Sequence, residues 1–451
     1  MTEFPFHLRI KSLPGGKVES LTCTSMLRSV PGRREVYDAL WGDKPVIVKV
    51  FYHKINARRH LNREWKGLSL LAERGLKAPM ALLRGQTEDG QWVLVVEKIP
   101  DAVTCLDAFN KATDKEQRLN LMLSACRQVA MQNEKGVAQK DLHLGNFLLK
   151  DNEFYTLDTA QMIFLRRPLT RSESISQLAF LSSYFADDEE SLNKLGSDYF
   201  GVRDWQFEES DRKKLKREIA RLRRRYIRKS LKKSLRTSKR FLRITTKSHI
   251  AVFDREFCRG AEPADLIKQI DSFMDGGQVL KRGNTCYVSR IKWNGKDIVI
   301  KRYNHKGLIH SLRHTLKGSR ARRCWLHGHR LLMLGIATPK PLAFIEQRKD
   351  LLLWQSYLVT EYIEGPRLYD FMRDASISEQ QRDAVFKQLK ETLDTLATYK
   401  ITHSDLKHSN ILITDNGPVL IDLDAIRIHR CGWLHKNSRN KGMATLAAVM
   451  S

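Results

Sequence analysis

The sequence predicts an α+β chain in which one pattern, a strand-rich lobe followed by a short helical lobe, occurs twice. Three observations predict it. The stretch His403–Arg427, HSDLKHSNILITDNGPVLIDLDAIR, reads as polar loop, apolar strand, turn, apolar strand and acidic tip. An earlier stretch, Lys140–Gln161 (KDLHLGNFLLKDNEFYTLDTAQ), carries Asp141, Asn146 and Asp158 at the mutual spacings of Asp405, Asn410 and Asp422, each 264 positions before its counterpart. Well ahead of each stretch stands an apolar strand holding one interior lysine, Lys49 in PVIVKVF and Lys301 in DIVIKRY. Residues 1–205 and 251–451 are therefore expected to form two bilobal domains, joined by a basic helical linker at 206–250.

Bulk composition sets the outer limits. A chain of 451 residues has room for two to four domains, and its 42% apolar share supports real cores. The net charge of +28 points to anionic partners: phosphate, nucleic acid or an anionic lipid surface. Seven scattered cysteines without a CxxC pair argue against a disulfide framework or a zinc site and fit a reducing cytosol. The opening residues MTEFPFHLRIKSLPGG lack an apolar core, so no secretory signal is expected. No run of about 18 apolar residues occurs, so the chain is expected to lie on a membrane at most.

Residues 1–50 are β-rich, with strands at Glu35–Leu40 and Pro45–Phe51 joined through Gly42-Asp43. Lys49 sits inside the second of these, and a buried strand is a poor place for a solvated lysine. Ala57–Gly75 has apolar residues at helical spacing, ends at Gly75 and is followed by Pro79. Glu64 lies in mid-helix, fifteen residues after Lys49. Taken alone it reads as a surface glutamate; taken with Lys49 it reads as the lysine's partner. Strands follow at Met80–Arg84 and Trp92–Glu97, and Val96–Asp101, beginning beside Glu97, is the expected hinge between lobes. Helices are expected at Leu119–Glu134 and Ser176–Phe185.

The composition then shifts. Arg212–Lys247 holds 18 Lys/Arg and one carboxylate, Glu218. Leu215, Ile219, Leu222 and Tyr226 recur at helical spacing, so its first half reads as a basic amphipathic helix. Three roles stay open for it: a solvated helix covering a lobe, adsorption to an anionic membrane face, or nucleic-acid binding. The last is the weakest, because no aromatic interleaving accompanies the charge.

From residue 250 the pattern restarts. Gln278–Lys281, Tyr287–Trp293 and Asp297–Tyr303 read as strands, with Asn294-Gly295 as a hairpin turn. Ser319–Leu334 is the helix, ending at Gly335 with Pro339 behind it. Tyr357–Ile363 matches the hinge, and Glu361 lies 264 positions after Glu97. Ser378–Tyr399 is the long helix before the loop of Asp405.

The recurring residues suit phosphoryl transfer. That chemistry needs a carboxylate to orient the acceptor hydroxyl, an Asn and a second Asp to hold Mg²⁺ on the ATP phosphates, and a lysine on those phosphates. A single D-x4-N means little. Lysine, helix, hinge, D-x4-N and strand-borne Asp, in order and twice, is specific.

The second half resembles the lipopolysaccharide core kinases, the heptose/Kdo kinase family of Gram-negative bacteria. The resemblance is carried by GNTCYVSRIKWNGKDIVIKRYN, SRARRCWLHGHRLLMLGIATPKPLAF, YLVTEYIEG, HSDLKHSNILI and LIDLDAIR, over roughly 280–430. The first half is similar more loosely, through VIVKVF, EWKGLSLLAERGLKAP, KDLHLGNFLL and TLDTAQ. The resemblance implies a protein-kinase-like fold and ATP- and Mg²⁺-dependent phosphorylation of inner-core sugar hydroxyls at the cytoplasmic membrane face. It makes Asp141 and Asp405 catalytic bases. Asn146, Asp158, Asn410 and Asp422 become metal ligands. Lys49 and Lys301 become phosphate contacts, with Glu64 and the hinge residues Glu97 and Glu361 on the nucleotide side.

Three departures bear on this. Neither half has a G-x-G-x-x-G loop; Val30-Pro-Gly-Arg-Arg and Lys281-Arg-Gly-Asn-Thr stand there instead, and neighbouring cations are expected to compensate. The H-R-D triplet reads Gln139-Lys140-Asp141 in one half and His403-Ser404-Asp405 in the other. The second half has no carboxylate from Ile298 through Ile345, and aligning Gly335 on Gly75 puts Cys324 where Glu64 sits. Lys301 must find its partner elsewhere, contact phosphate directly, or belong to a weak or inactive half.

Only 29 residues follow Asp422 and no A-P-E follows either metal-site Asp. The expected acceptor is therefore a sugar or small molecule, a heptose or Kdo hydroxyl of an anionic glycolipid in the first place. Two other readings remain open: a kinase acting on a protein or another small molecule, and a membrane-associated pseudokinase scaffold.

Overall fold

Alternating apolar residues build the first unit's strands, and a computed structural model of the chain shows how they close. Residues 3–52, 56–183, 188–304, 318–349 and 352–429 are described. They fall into two units, divided between Leu222 and Arg223.

In the first unit, β1 (Phe6–Ser12), β2 (Val18–Val30), β3 (Arg34–Trp41), β4 (Lys44–Phe51), β5 (Ala81–Thr87) and β6 (Trp92–Glu97) form a closed barrel in the order β1-β2-β3-β4-β6-β5. Val46, Val48 and Val50 of β4 point into the barrel core with Val93 and Val95 of β6. The alternate residues of β6, Leu94 and Val96, pack under helix α1 (Ala57–Glu73) with Leu61 and Leu68. That two-sided burial explains the unbroken apolar run of β6. It also places Lys49, one residue off the barrel-facing set, on the helix side. The barrel closes where β5 meets β1: a Cβ on Gly85 would lie 2.3 Å from the Lys11 carbonyl oxygen, so only glycine fits.

The helical lobe follows β7 (Val103–Thr104) and α2 (Cys105–Lys111). It consists of α3 (Lys115–Glu134), the short strands β8 (Val137–Gln139), β9 (Phe147–Lys150), β10 (Glu153–Thr156) and β11 (Met162–Phe164), then α4 (Arg171–Ser182) and α5 (Glu189–Gly201). Met122, Cys126, Val129, Leu178, Leu195, Tyr199 and Phe200 form its core. The helix expected at 176–185 is α4, which starts five residues earlier under a Thr170–Glu173 capping box; Phe185 lies outside the described residues.

The expected linker at 206–250 is not a separate segment. Helix α6 (Glu209–Lys233) begins in the first unit, where Leu215 and Ile219 join the helical core. The stretch after it pairs as strands β12 (Phe241–Thr245) and β13 (His249–Asp254) of the second unit's sheet. The apolar stripe of α6 also differs from expectation: Ile227 and Leu231 are buried, while Tyr226 is 65% exposed. The stripe is consumed by protein packing, so the exposed face of the helix is basic, with Arg217, Arg221, Arg225, Arg228, Lys229 and Lys232 outward.

The second unit has a seven-stranded sheet. Helix α7 (Pro263–Asp275) precedes β14 (Gln278–Arg282), β15 (Cys286–Trp293) and β16 (Lys296–Tyr303); helix α8 (Arg320–Met333) precedes β17 (Pro341–Lys349) and β18 (Leu352–Glu361). The order is β12-β13-β17-β18-β16-β15-β14. Ile298 and Ile300 of β16 face α7, while Tyr303, of opposite parity and in phase with Lys301, packs with Trp325 of α8. After α9 (Leu368–Arg373) and α10 (Glu379–Thr398) come the strand pairs β19 (Ile401–His403) with β22 (Ile426–Ile428) and β20 (Ile411–Thr414) with β21 (Gly417–Leu420).

Burial in this unit leaves two histidines of α8 uncharged. Burial first, then the Arg330 and Arg323 charges, pushes His327 down to about 4; burial, then Arg240 and Lys340, pushes His329 down to about 3. The unfolded chain binds these protons near pH 6.5 and the folded one does not, so stability falls as pH drops below that value. For His329 the loss by pH 5 is about 2 kcal/mol. Chemical unfolding at pH 7.5 and pH 5 should show this dependence, and His329→Leu should reduce it by about that amount.

Among the described residues no helix is long and apolar enough to cross a membrane. The six described cysteines are all free.

Candidate active sites

In each unit matching hydrogen bonds bring the expected base, its Asn and the expected metal-site Asp together. In both, an Asn closes the loop of the expected base. Asn146 Nδ2 donates to the Asp141 carbonyl at 2.7 Å, and Asn410 Nδ2 donates to the Asp405 carbonyl at 2.8 Å. In both, the backbone then ties that Asn to the next strand: Leu157 N donates to Asn146 O at 2.7 Å, and Ile421 N to Asn410 O at 2.9 Å. The strand is fixed a second time, by Thr156 N to Lys77 O and by Leu420 N to Ala337 O, each 2.9 Å. The residue that follows is the expected metal-site Asp. Asp158 (φ 53°) and Asp422 (φ 60°) both adopt the left-handed conformation, uncommon for a residue with a Cβ. Two chain segments of different sequence thus spend the same local strain at the same place.

The loops of the expected bases are held from behind by different residues. In the first unit Gln139 donates to Gln132 Oε1 at 2.9 Å, and Gln132 donates to Thr156 Oγ1 at 2.8 Å, a buried amide network under the loop. In the second, the His403 ring nitrogen Nε2 lies 3.2 Å from Ile421 O, and burial holds this imidazole below its ordinary pKa. Asp141 and Asp405 themselves are open to solvent, where an acceptor could reach them. Lys407, whose counterpart is His143, lies 3.2 Å from the Asp405 carboxylate. Sequence reasoning passed over this lysine, although its place two residues after the base was visible.

The strand lysines differ. Lys49 forms an ion pair with Glu64, which is 1% exposed, and Arg34 approaches the second oxygen of the same carboxylate at 3.8 Å. Arg34 follows the Pro31-Gly32-Arg33 turn, so the loop that lacks the G-x-G-x-x-G pattern does supply a cation. Helix α1 is locked to the Asp158 turn: Thr159 Oγ1 donates to Glu64 O at 2.8 Å, and a Cβ on Gly67 would come within 2.6 Å of Thr159.

Lys301 finds its partner elsewhere. Its ammonium lies 2.8 Å from Asp422 Oδ1 and 2.7 Å from Asp424 Oδ2. Asp424 also meets Arg320 at 3.3 Å and accepts from the Cys324 thiol at 3.3 Å. Burial works against the Lys301 charge, but Asp424 and then Asp422 outweigh it and hold the ammonium above the ordinary lysine pKa. Burial likewise opposes the Asp424 carboxylate, and Lys301 and Arg320 outweigh it, so its pKa is lowered.

Glu97 and Glu361 reach the hinge in equivalent ways. The Glu97 carboxylate accepts from Met80 N at 3.2 Å and that of Glu361 from Lys340 N at 2.7 Å. Both side chains thus tie the end of the strand that leads into the expected hinge to the residue before the neighbouring strand.

The donor sets fit Mg²⁺ held jointly with phosphates. Among the described residues no cluster of three His, Cys, Asp or Glu side chains could hold a metal alone. In each unit the Asn amide nitrogen bonds the loop carbonyl and its backbone oxygen holds the residue before the Asp, and an Asn–Asp donor set of this kind suits a magnesium ion that keeps waters and takes substrate oxygens.

A strand lysine paired with a carboxylate, a loop Asp and Asn, and a left-handed Asp on a hairpin define the protein-kinase-like class. Residues 275–447 match the sequence profile of the lipopolysaccharide kinase (Kdo/WaaP) family. Shorter stretches match curated protein kinases. One is the serine/threonine-protein kinase cds1 of Schizosaccharomyces pombe, 46% identical over 61 residues, 13% of this chain and 13% of that protein. Another is serine/threonine-protein kinase 1 of Heliothis zea nuclear polyhedrosis virus, 39% identical over 56 residues, 12% of this chain and 21% of that protein. The chain thus spans about an eighth to a fifth of the length of these relatives. Among solved structures, "WaaP in complex with acyl carrier protein" is similar at 17% identity over 44% of this chain and 88% of that one, with a TM-score of 0.33.

Proposed function

We propose that this protein is an ATP- and Mg²⁺-dependent phosphotransferase that phosphorylates a heptose or Kdo hydroxyl of the lipopolysaccharide inner core at the cytoplasmic membrane face. The observation that carries the reading is the second site: Lys301, Asp405, Asn410 and Asp422 stand in one constellation within the region that matches the lipopolysaccharide kinase profile. We read the two units as a tandem pair of kinase-like domains, because Asp141, Asn146 and Asp158 are built by the same hydrogen bonds as their counterparts.

In this reading Asp405, and Asp141 in the first unit, accepts the proton of the attacking hydroxyl and aims its oxygen at the γ-phosphorus. Lys407 lies beside Asp405 and offsets charge on the transferring group. Lys301 and Lys49 hold the nucleotide phosphates. Asn410 with Asp422, and Asn146 with Asp158, would hold magnesium, which neutralises the phosphate oxygens when bound. The basic outer face of α6 supports attraction to an anionic glycolipid surface, and its effect should weaken as salt rises.

The test is purified full-length protein with γ-labelled ATP and dephosphorylated core lipid. Label should enter the core sugar. Transfer only to protein substrates would replace this reading with the second one, a protein kinase, which the short matches to serine/threonine kinases favour.

A further inference from the structure

The two units place their lysine-holding carboxylate on different elements, and the difference is reciprocal. In the first, Glu64 on α1 pairs with Lys49, and the position two after Asp158 is Ala160. In the second, the α8 position matching Glu64 is Cys324, and the position two after Asp422 is Asp424. The Cys324 thiol touches the Asp424 carboxylate at 3.3 Å, so the side chain from the hairpin fills the space that a helix-borne carboxylate would occupy. Asp424 is largely buried and surrounded by Lys301, Arg320 and Cys324, with the Tyr303 ring beneath Arg320 at 4.7 Å. A buried carboxylate with two cations on it is committed to them, because leaving either cation or carboxylate alone there is costly.

We propose that Asp424 is the positioning residue for Lys301, the counterpart of Glu64 supplied from the metal-site hairpin, which frees Asp422 for magnesium when nucleotide binds. This rests on the nucleotide-binding reading of the second site. It accounts for both contacts of Lys301: the Asp424 pair persists, and the Asp422 pair is exchanged for metal and phosphate. It also makes the lack of a carboxylate on α8 a relocation and not a defect.

The test uses the full chain with Lys49→Ala, so that the second site is read alone, and follows a fluorescent ATP analogue with Mg²⁺ by titration. Asp424→Ala should weaken binding about tenfold, the effect of losing roughly 1.4 kcal/mol of phosphate contact. Cys324→Glu with Asp424→Ala, which copies the first unit's arrangement, should restore affinity to within about threefold of the parent. A merely structural role would lower the melting temperature in both variants without restoring affinity in the second. Retained affinity in Asp424→Ala, where Lys301→Ala has lost it, would overturn the assignment. Unchanged affinity in Lys301→Ala would instead overturn the nucleotide-site reading itself. Should the double variant not fold, the reverse exchange decides: Glu64→Cys with Ala160→Asp, in a Lys301→Ala chain, should bind nucleotide where Glu64→Cys alone does not. Failure of that exchange in a folded chain sinks the equivalence.

Discussion

Asp141→Ala and Asp405→Ala together are expected to reduce phosphate transfer to background, and the two single variants to divide the activity between the units. A positioned base contributes about 10² to 10⁴ in rate. Both carboxylates are exposed on loops whose geometry is set elsewhere, by Asn146 and Asn410 and by the strands behind them. Removing either carboxylate should therefore change the chemical step and leave folding and nucleotide affinity nearly intact. The measurement is initial rate against ATP for the wild type, each single variant and the double. If Asp405→Ala alone removes nearly all transfer, the second unit is the enzyme, and the first serves it by binding. Undiminished transfer in the double variant would refute the assignment of both bases.

Trp325→Ala should be the most destabilising single truncation in the second unit, at about 4 kcal/mol. Trp325 is 0% exposed. Its indole N–H donates to Ser234 O at 3.1 Å and lies 3.3 Å from Ser234 Oγ, and its ring meets His329 at 4.2 Å, Phe241 at 5.5 Å and Phe344 at 5.6 Å. The truncation leaves a cavity and strips the Ser234 carbonyl of its donor, two costs that add. For a unit of this size the midpoint should fall by about 10 °C. Calorimetry should show one transition moving and the other staying. Trp325→Phe should recover part of the loss, since it refills volume but not the hydrogen bond. A shift in both transitions would mean that the units do not unfold independently.

Much of this site is legible in the sequence, and the illegible parts share a cause. Lys49 and Glu64 are readable because strand and helix periodicities place them on facing surfaces, and their spacing is local. Asn146, Asp158, Asn410 and Asp422 are readable because the hairpin between them has a fixed length. The Lys301–Asp424 pair is not readable from local pattern, since it spans 123 positions and no periodicity predicts which carboxylate arrives. A signal did exist in the paired differences Glu64/Cys324 and Ala160/Asp424. The closed barrel was hidden for a similar reason: the pairing of β1 with β5 depends on Gly85, not on the strands' own patterns. Helix α5 is not among the expected elements, although Leu192, Leu195, Tyr199 and Phe200 mark its buried face. Strands β12 and β13 are not legible, because they follow a run of cations that makes the whole stretch read as one linker.

The position of the carboxylate on Lys301 also decides what can switch each site off. In the first unit the lysine is tethered to a helix, and a helix can swing: tilting α1 outward would draw Glu64 from Lys49 and uncouple the site, despite the lock at Gly67 and Thr159. In the second unit Asp424 and the expected metal ligand Asp422 sit two residues apart on one turn. Moving α8 takes away a cysteine and an arginine but leaves Lys301 held. If α1 moved, Glu64 would leave Lys49 with it, whereas a movement of α8 would leave Lys301 between the two carboxylates of its own hairpin turn.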